Sequence, residues 1–253
     1  SLKKYVDELF SIFPFEVGFF GNHGMNIHYV GNPLLDAISS EKEGFGTITD
    51  FLQQNNLNEK PVVALLPGSR TQEIKMMLPV MSRLAVDFPE YQFVISGAPA
   101  IDKSLYSKYS ADRSLPVLLG KTYQLLFFSH AAVVTSGTAT LETALLNIPQ
   151  VVLYKMAGGK IGYGIFRFIF LKVKFVSLPN LVLGREFLKE FVMDKMKYNF
   201  VKPEIHRLLS DGNYRSAIFT GYEELRQEMG DQGASERAAQ EMIKILDMKR
   251  QKI

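Results

Sequence analysis

The sequence predicts an α/β fold built on a doubly wound parallel sheet, and three observations predict it. Short apolar, β-branched segments alternate with segments at helical spacing through short connections. Such alternation lays strands side by side in parallel, with helices on both faces. Residues 62–73 read VVALLPGSRTQE, an apolar run broken by Pro67-Gly68 and followed by helix-compatible residues. Residues 133–142, VVTSGTATLE, repeat the same strand, glycine turn and helix start. Right-handed crossovers make such a sheet Rossmann-like, with ligand at the carboxyl ends of its strands.

In chain order, strands are expected at Glu8–Phe13 and Ile27–Val30, both short apolar runs with aromatic residues. A helix is expected at Thr47–Gln54. Val62–Leu66 is a continuous apolar strand, and Glu73–Asp87 follows as an amphipathic helix. Strands at Gln92–Gly97, Val117–Leu119, Ala132–Thr135 and Val151–Tyr154 alternate with helices at Leu105–Ser110, Tyr123–Phe128 and Ala139–Leu146. Lys160–Leu171 is expected to be helical, Val173–Leu178 a strand and Arg185–Glu190 a helix. Helices at Lys202–Ser210, Ser216–Met229 and Ala234–Lys249 close the chain.

The polar stretch Ser39–Lys60, with Glu41-Lys42-Glu43-Gly44 and Asn55-Asn56, lies between apolar blocks and reads as a junction. The expected organisation is the tail of a larger domain over residues 1–38 and a linker over 39–60. A ligand-binding domain over 61–233 and a C-terminal helix over 234–253 follow. The chain opens on Ser1-Leu2, so a true N-terminus upstream is expected.

Composition narrows the function. The 253 residues are 47% hydrophobic and 22% charged, ordinary for a globular chain. A net charge of +3 gives no global signal of nucleic-acid binding. No cysteine is present, which removes disulfides, thiolate nucleophiles and cysteine metal sites and fits a reducing compartment. Lys3-Lys4 is followed by Asp7 and Glu8, unlike a signal peptide, and no uninterrupted apolar run reaches transmembrane length. P-loop, GxGxxG, HExxH and GxSxG patterns are all missing. So is Asp-x-Asp, which disfavours a metal-dependent sugar transferase of the kind that uses it. No metal ligands and no cofactor are expected.

Three stretches carry the candidate chemistry. At the first turn, Gly68 allows close backbone approach, Ser69 and the helix-start amides face an anion, and Arg70 offers a planar fork of donors. Glu73 lies one turn into the helix. At the second turn, Ser136 and Thr138 supply hydroxyls, Gly137 permits close approach, and Ala139 opens a helix. Glu142, one turn in, suits the two hydroxyls of a ribose. Helix capping explains the same Ser and Thr residues, but both turns would sit on one sheet edge, which favours a diphosphate or nucleotide site. The third stretch, SLPNLVLGRE over residues 177–186, offers Asn180 to a base or sugar, with Gly184, Arg185 and Glu186 at an expected helix start. A glycine turn followed by a solvated face explains it equally well. Lys155–Lys174 interleaves Lys155, Lys160, Arg167, Lys172 and Lys174 with aromatic and aliphatic residues, and no acid occurs from Thr143 through Arg185. Such a segment suits a membrane interface, or a buried helix whose cations snorkel.

These motifs carry a resemblance. LLPGSRTQEI, VVTSGTATLETALLNIPQVVLYKM and FVSLPNLVLGRE, in this order and spacing, resemble the lipid-A-disaccharide synthase family. VDELFSIFPFE and YVGNPLLD are similar to the same family just before its interdomain linker. The resemblance covers nearly the whole chain and is weakest after Glu190. It implies the donor half of a GT-B glycosyltransferase, inverting, that moves 2,3-diacylglucosamine from UDP to 2,3-diacylglucosamine 1-phosphate in a β-1,6 linkage. It implies a UDP-diacylglucosamine donor, a lipid acceptor, no nucleic acid, and peripheral work at the cytoplasmic face of the inner membrane of a Gram-negative bacterium. Association with a second copy is left open. By the resemblance, Gly68, Ser69 and Arg70 match the diphosphate turn, with Arg70 stabilising the leaving group. Ser136, Gly137, Thr138 and Glu142 match the second nucleotide turn, and Asn180, Arg185 and Glu186 the third. The general base is expected in an amino-terminal domain, so this chain by itself is expected to bind donor without turnover. Two positions depart from the pattern. Asn32 in Gly31-Asn32-Pro33 stands where the family shows His, and Met193 stands where a polar residue is common. A peptidoglycan-type N-acetylglucosaminyltransferase, a UDP-sugar epimerase and a non-catalytic nucleotide-binding module are the competing readings.

Overall fold

A computed structural model describes residues 4–155 and 174–250. The expected helix at Lys160–Leu171, and with it the membrane-leaning segment, lies outside the described residues.

The chain opens with β1 (Leu9–Ser11), α1 (Pro14–Gly21) and β2 (Ile27–Tyr29), and β1 and β2 pair in parallel as a separate two-stranded sheet. Two helices, α2 (Leu34–Lys42) and α3 (Ile48–Gln54), lead into the main sheet. Neither α1 nor α2 figured in the sequence reading. α2 runs across residue 38, and α3 buries Phe51 against the Phe128 ring at 5.0 Å. Residues 39–42 and 48–54 of the stretch expected as a linker are therefore helical. Thr47 caps α3 by accepting the Asp50 amide at 3.1 Å while Asp50 accepts the Thr47 amide at 3.1 Å, so two otherwise orphaned donors are satisfied reciprocally.

The main sheet alternates strictly with helices: β3 (Val62–Leu66), α4 (Thr71–Asp87), β4 (Gln92–Gly97), α5 (Lys103–Tyr109), β5 (Val117–Leu119), α6 (Thr122–Phe127), β6 (Ser129–Thr135), α7 (Thr138–Leu145) and β7 (Gln150–Tyr154). After α8 (Leu178–Leu183) comes the edge strand β8 (Glu190–Val192). All six strands are parallel, in the order β5-β4-β3-β6-β7-β8. Every residue of β3 and β4 is buried, as expected of parallel strands covered on both faces. α4 buries Ile74, Met77, Leu78, Met81 and Leu84, one stripe at helical spacing, onto that sheet.

The strand order reverses at β3. The chain steps outward through β4 and β5, then returns to place β6 on the other side of β3. A crevice opens where neighbouring strands send their following helices to opposite faces. The turns after β3 and β6 flank it.

Two expectations are corrected beyond β7. Residues 174–177 form bends without strand pairing, so the described part of Val173–Leu178 is not a strand. Helix starts at Leu178, with Pro179 in its first turn, where its missing N–H costs nothing. Gly184 ends that helix in the left-handed region at φ +64°. Hence Arg185–Glu190 is not a helix, and Glu190 instead begins the sixth strand.

α9 (Tyr198–Ser210), α10 (Gly212–Met229) and α11 (Ala234–Arg250) complete the chain. α10 buries Tyr222 beneath the sheet, where its hydroxyl donates to the Ile148 carbonyl at 2.8 Å. The entry to α11 returns to the first block. Asp36 accepts the Gly233 amide at 2.7 Å, Arg237 Nε donates to the Val30 carbonyl at 2.9 Å, and the Tyr29 hydroxyl donates to the Met229 carbonyl at 2.6 Å. Asn32 is buried, donating to the Ile12 carbonyl and accepting the Leu34 amide, both at 3.0 Å. Asn32 therefore braces the backbone at the start of α2. No helix among the described residues is long and apolar enough to cross a membrane.

Candidate functional site

The first two turns open onto one cavity of about 390 Å³ at the switch point. It is lined by Gly68, Ser69, Arg70 and Glu73 from the first turn and by Ser136, Gly137, Thr138, Ala139 and Glu142 from the second. These are nine of the residues the sequence singled out, brought together from segments about seventy positions apart.

The backbone explains why each turn needs its glycine. Gly68 sits at φ +100°, and a Cβ there would meet the Glu73 side chain, with Oε2 at 2.3 Å and Cβ at 2.7 Å. Gly137 sits at φ +148°, and nothing lies within 4 Å of where its Cβ would stand. A side chain at Gly137 is excluded by the backbone, and the open space is left to a ligand. Gly137 is also the N-cap of α7 and offers no side-chain cap. Thr138 and Ala139, the first residues of α7, line the cavity, and the first amides of a helix lack partners within it.

In the first turn an acceptor is already present. Glu73 takes the Ser69 amide at 3.0 Å and the Arg70 amide at 3.2 Å through one carboxylate oxygen, and the Arg70 guanidinium at 3.1 Å through the other. The Arg70 side chain is 82% exposed, so that ion pair is weak and the guanidinium is free to turn toward an incoming anion.

Glu142 stands on the opposite wall. The Tyr123 hydroxyl donates to it at 2.8 Å. Burial pushes the Glu142 carboxyl above its ordinary pKa, and the Tyr123 bond opposes that shift. Tyr123 is itself pushed up, by burial first and by its bond to Glu142 second. The carboxylate is thus held by the Tyr123 hydroxyl. Its remaining acceptor sites suit paired hydroxyls. Glu142 and Thr122 also line an adjoining cavity of about 580 Å³, bordered by Phe45, Pro99, Lys121 and Gln124, so the two form one crevice.

Sequence reasoning did not find Thr135, Ser96, Thr122 or Tyr123. Thr135 ends β6, is 6% exposed and lines the first cavity, yet its hydroxyl has no partner among the described residues. An unmet buried hydroxyl is costly unless something completes it. Ser96 and Thr122 share a hydrogen bond of 2.8 Å on the far wall.

The third stretch does not line this cavity. Asn180 is fully buried, donating to the Leu188 carbonyl at 2.8 Å and to Glu190 at 2.7 Å while accepting the Phe187 and Leu188 amides at 3.1 and 3.0 Å. Those four bonds occupy the amide's whole hydrogen-bonding capacity, and the expected contact of Asn180 with a base or sugar would have to displace one of them. Arg185 pairs with Glu224, and Glu186 with Lys189 at 3.0 Å. Gly184 serves the helix end. The stretch acts as a brace instead. Glu190 accepts the Val176 amide at 2.9 Å, the Ser177 amide at 3.0 Å and the Ser177 hydroxyl at 2.6 Å. The loop so held takes the Ser136 hydroxyl on the Val176 carbonyl at 2.6 Å and offers the Leu178 amide to Thr140 at 3.3 Å. The second turn is therefore fastened to the third segment from behind.

An open parallel sheet with two glycine turns facing one crevice at its switch point, amides and an arginine on one side and a carboxylate on the other, makes an α/β domain of GT-B type. Solved structures agree on the fold. A UDP-GlcNAc 2-epimerase from Neisseria meningitidis bound to UDP-GlcNAc superposes with a TM-score of 0.61 at 15% identity, covering 87% of this chain and 56% of that one. The S. aureus MnaA–UDP co-structure gives 0.60 at 13% identity, over 94% of this chain and 59% of that one. The calicheamicin glycosyltransferase CalG4 gives 0.57 at 16% identity, over 97% and 55%. Sequence comparison then gives the family. The model of the lipid-A-disaccharide synthetase family matches residues 1–245, and the chain belongs to that family. It is 36% identical to the lipid-A-disaccharide synthase of Myxococcus xanthus over 97% of its length and 34% identical to that of Syntrophus aciditrophicus over 94%. It spans 64% and 63% of the lengths of those two relatives.

Proposed function

We propose that this chain is the donor-binding part of a lipid A glycosyltransferase, holding UDP-2,3-diacylglucosamine for inverting transfer to 2,3-diacylglucosamine 1-phosphate in a β-1,6 linkage with release of UDP. The observation that carries the reading is the convergence of the Gly68–Arg70 and Ser136–Ala139 turns on one cavity. The names of the relatives and the UDP ligands of two structural neighbours support it. In this reading the diphosphate lies between the two turns, Glu142 takes the ribose hydroxyls, and the base extends into the adjoining cavity beside Tyr123 and Phe45. Thr135 completes its hydroxyl on the ligand.

The chemistry follows from charge. As the anomeric carbon loses UDP, negative charge grows on the β-phosphate while the sugar becomes oxocarbenium-like. Arg70 and the helix-start amides of α4 and α7 are aimed at that charge, and one such donor is worth about 10²–10³ in rate. Inversion requires a single displacement by the acceptor hydroxyl with help from a general base. The two carboxylates that line the cavity, Glu73 and Glu142, are given to the first turn and to the ribose in this reading, so the base comes from elsewhere and the chain alone binds donor without forming disaccharide. Contact with the inner-membrane surface, through residues 155–174, belongs to the same reading and rests on sequence pattern.

Thermal unfolding with and without millimolar UDP tests the site, since a ligand of the folded state raises the midpoint. UDP stabilises the parent chain, and Arg70→Ala abolishes the shift while leaving the ligand-free midpoint nearly unchanged, because its ion pair with Glu73 is exposed on the arginine side. No shift in the parent at that concentration would refute the reading. A donor panel in the same assay separates the rivals: preference for a diacylated UDP-sugar over UDP-GlcNAc favours the lipid A enzyme over an epimerase or a peptidoglycan-type transferase.

A further inference from the structure

The Glu73 carboxylate holds the donors that a phosphate would need. One oxygen accepts the Ser69 and Arg70 amides at 3.0 and 3.2 Å, and the other accepts the Arg70 guanidinium at 3.1 Å. Glu73 is the third residue of α4, a position from which Glu ordinarily reaches back to the N-cap amide, here that of Arg70. The bond to Ser69, one residue further out, and the grip on the guanidinium go beyond that cap. They reproduce the way a turn and an arginine hold an oxyanion. Gly68 makes room for it: a Cβ at that position would stand 2.3 Å from Glu73 Oε2. The Glu73 side chain lines the cavity and is 26% exposed, so the carboxylate is not sealed in place.

We propose that Glu73 is a resident stand-in for the donor's phosphate, keeping the first turn formed in the empty protein and yielding its place when the diphosphate arrives. The inference rests on the nucleotide reading of the same cavity and adds to it. Two anions cannot share three donors, because like charges at hydrogen-bonding range repel strongly. Binding therefore exchanges one anion for another. Three consequences follow. The cradle is preorganised without ligand. A weak acceptor does not displace the carboxylate, which favours a diphosphate over a neutral or singly charged group. After transfer, the returning carboxylate competes with UDP and helps to release it.

The test is calorimetric titration of UDP and of uridine into the parent and Glu73→Gln. The substitution keeps shape and removes charge. UDP should bind Glu73→Gln about tenfold more tightly, close to the worth of one charge-assisted hydrogen bond, while uridine affinity stays the same. Equal or weaker UDP binding by Glu73→Gln, with the parent still binding UDP, would overturn the stand-in and leave the nucleotide site intact. Failure of both proteins to bind UDP would overturn the site itself and the stand-in with it. A crystal structure of the parent with UDP decides independently of the variant. The Glu73 carboxylate should leave the Ser69 and Arg70 amides, and its remaining on them beside a bound diphosphate would refute the proposal.

Discussion

Glu142 illustrates how one residue carries both a cost and a role. Burial raises its carboxyl pKa above the ordinary 4.5, against the Tyr123 bond. An acid whose folded pKa is raised binds more protons folded than unfolded. Its contribution to stability is therefore full below pH 4.5 and is lost as pH rises through the folded pKa. Glu142→Gln should thus raise the thermal midpoint of the ligand-free chain at pH 7. The gain should vanish at pH 4, and a gain that persists there would assign it to another cause. The same variant should weaken UDP binding by about tenfold through loss of a charged acceptor. Glu142 itself was legible in the sequence, because it lies one turn beyond a glycine that ends a strand. Tyr123 was not, because it reaches Glu142 across 19 positions from another helix. Thr135 escaped for a related reason. Its hydroxyl matters because nothing among the described residues meets it, and a missing partner leaves no mark in sequence.

At the scale of elements, the strands from β3 to β7 were legible because each is a short apolar run closed by a turn. The first two glycine turns were legible because their geometry is local. The segment after β7 was not. FVSLPN has the composition of a strand, but Pro179 fits a helix's first turn and Ser177 is held by Glu190. Whether Asn180 faces a ligand or the interior depends on the position of Glu190, ten residues on, and on the backbone at Phe187 and Leu188. Spacing alone does not supply that. The brace makes its own prediction. Glu190→Ala strips four hydrogen bonds from residues 176–180 and should destabilise the chain by about 2–4 kcal/mol in urea unfolding. Because the brace holds Ser136 through Val176, UDP affinity should fall as well, although Glu190 touches no part of the cavity. A variant of normal stability would show that the third segment is not a support.

For the whole molecule, the fold is organised around one reversal of strand direction of travel. Stepping from β3 to β5 and back to β6 places two turns, remote in sequence, at one crevice. The first block is tied to the far end of the chain through Asp36, Tyr29 and Arg237, so β1 and β2 are held beside the main sheet by residues about two hundred positions away. The central claim is that the two turns form a single diphosphate cradle. Amide hydrogen exchange with and without UDP measures it most directly. The account predicts that UDP slows exchange together at Ser69–Arg70 and at Thr138–Ala139, while β1 and β2 are unaffected. Protection confined to one turn, or appearing away from both, would contradict it.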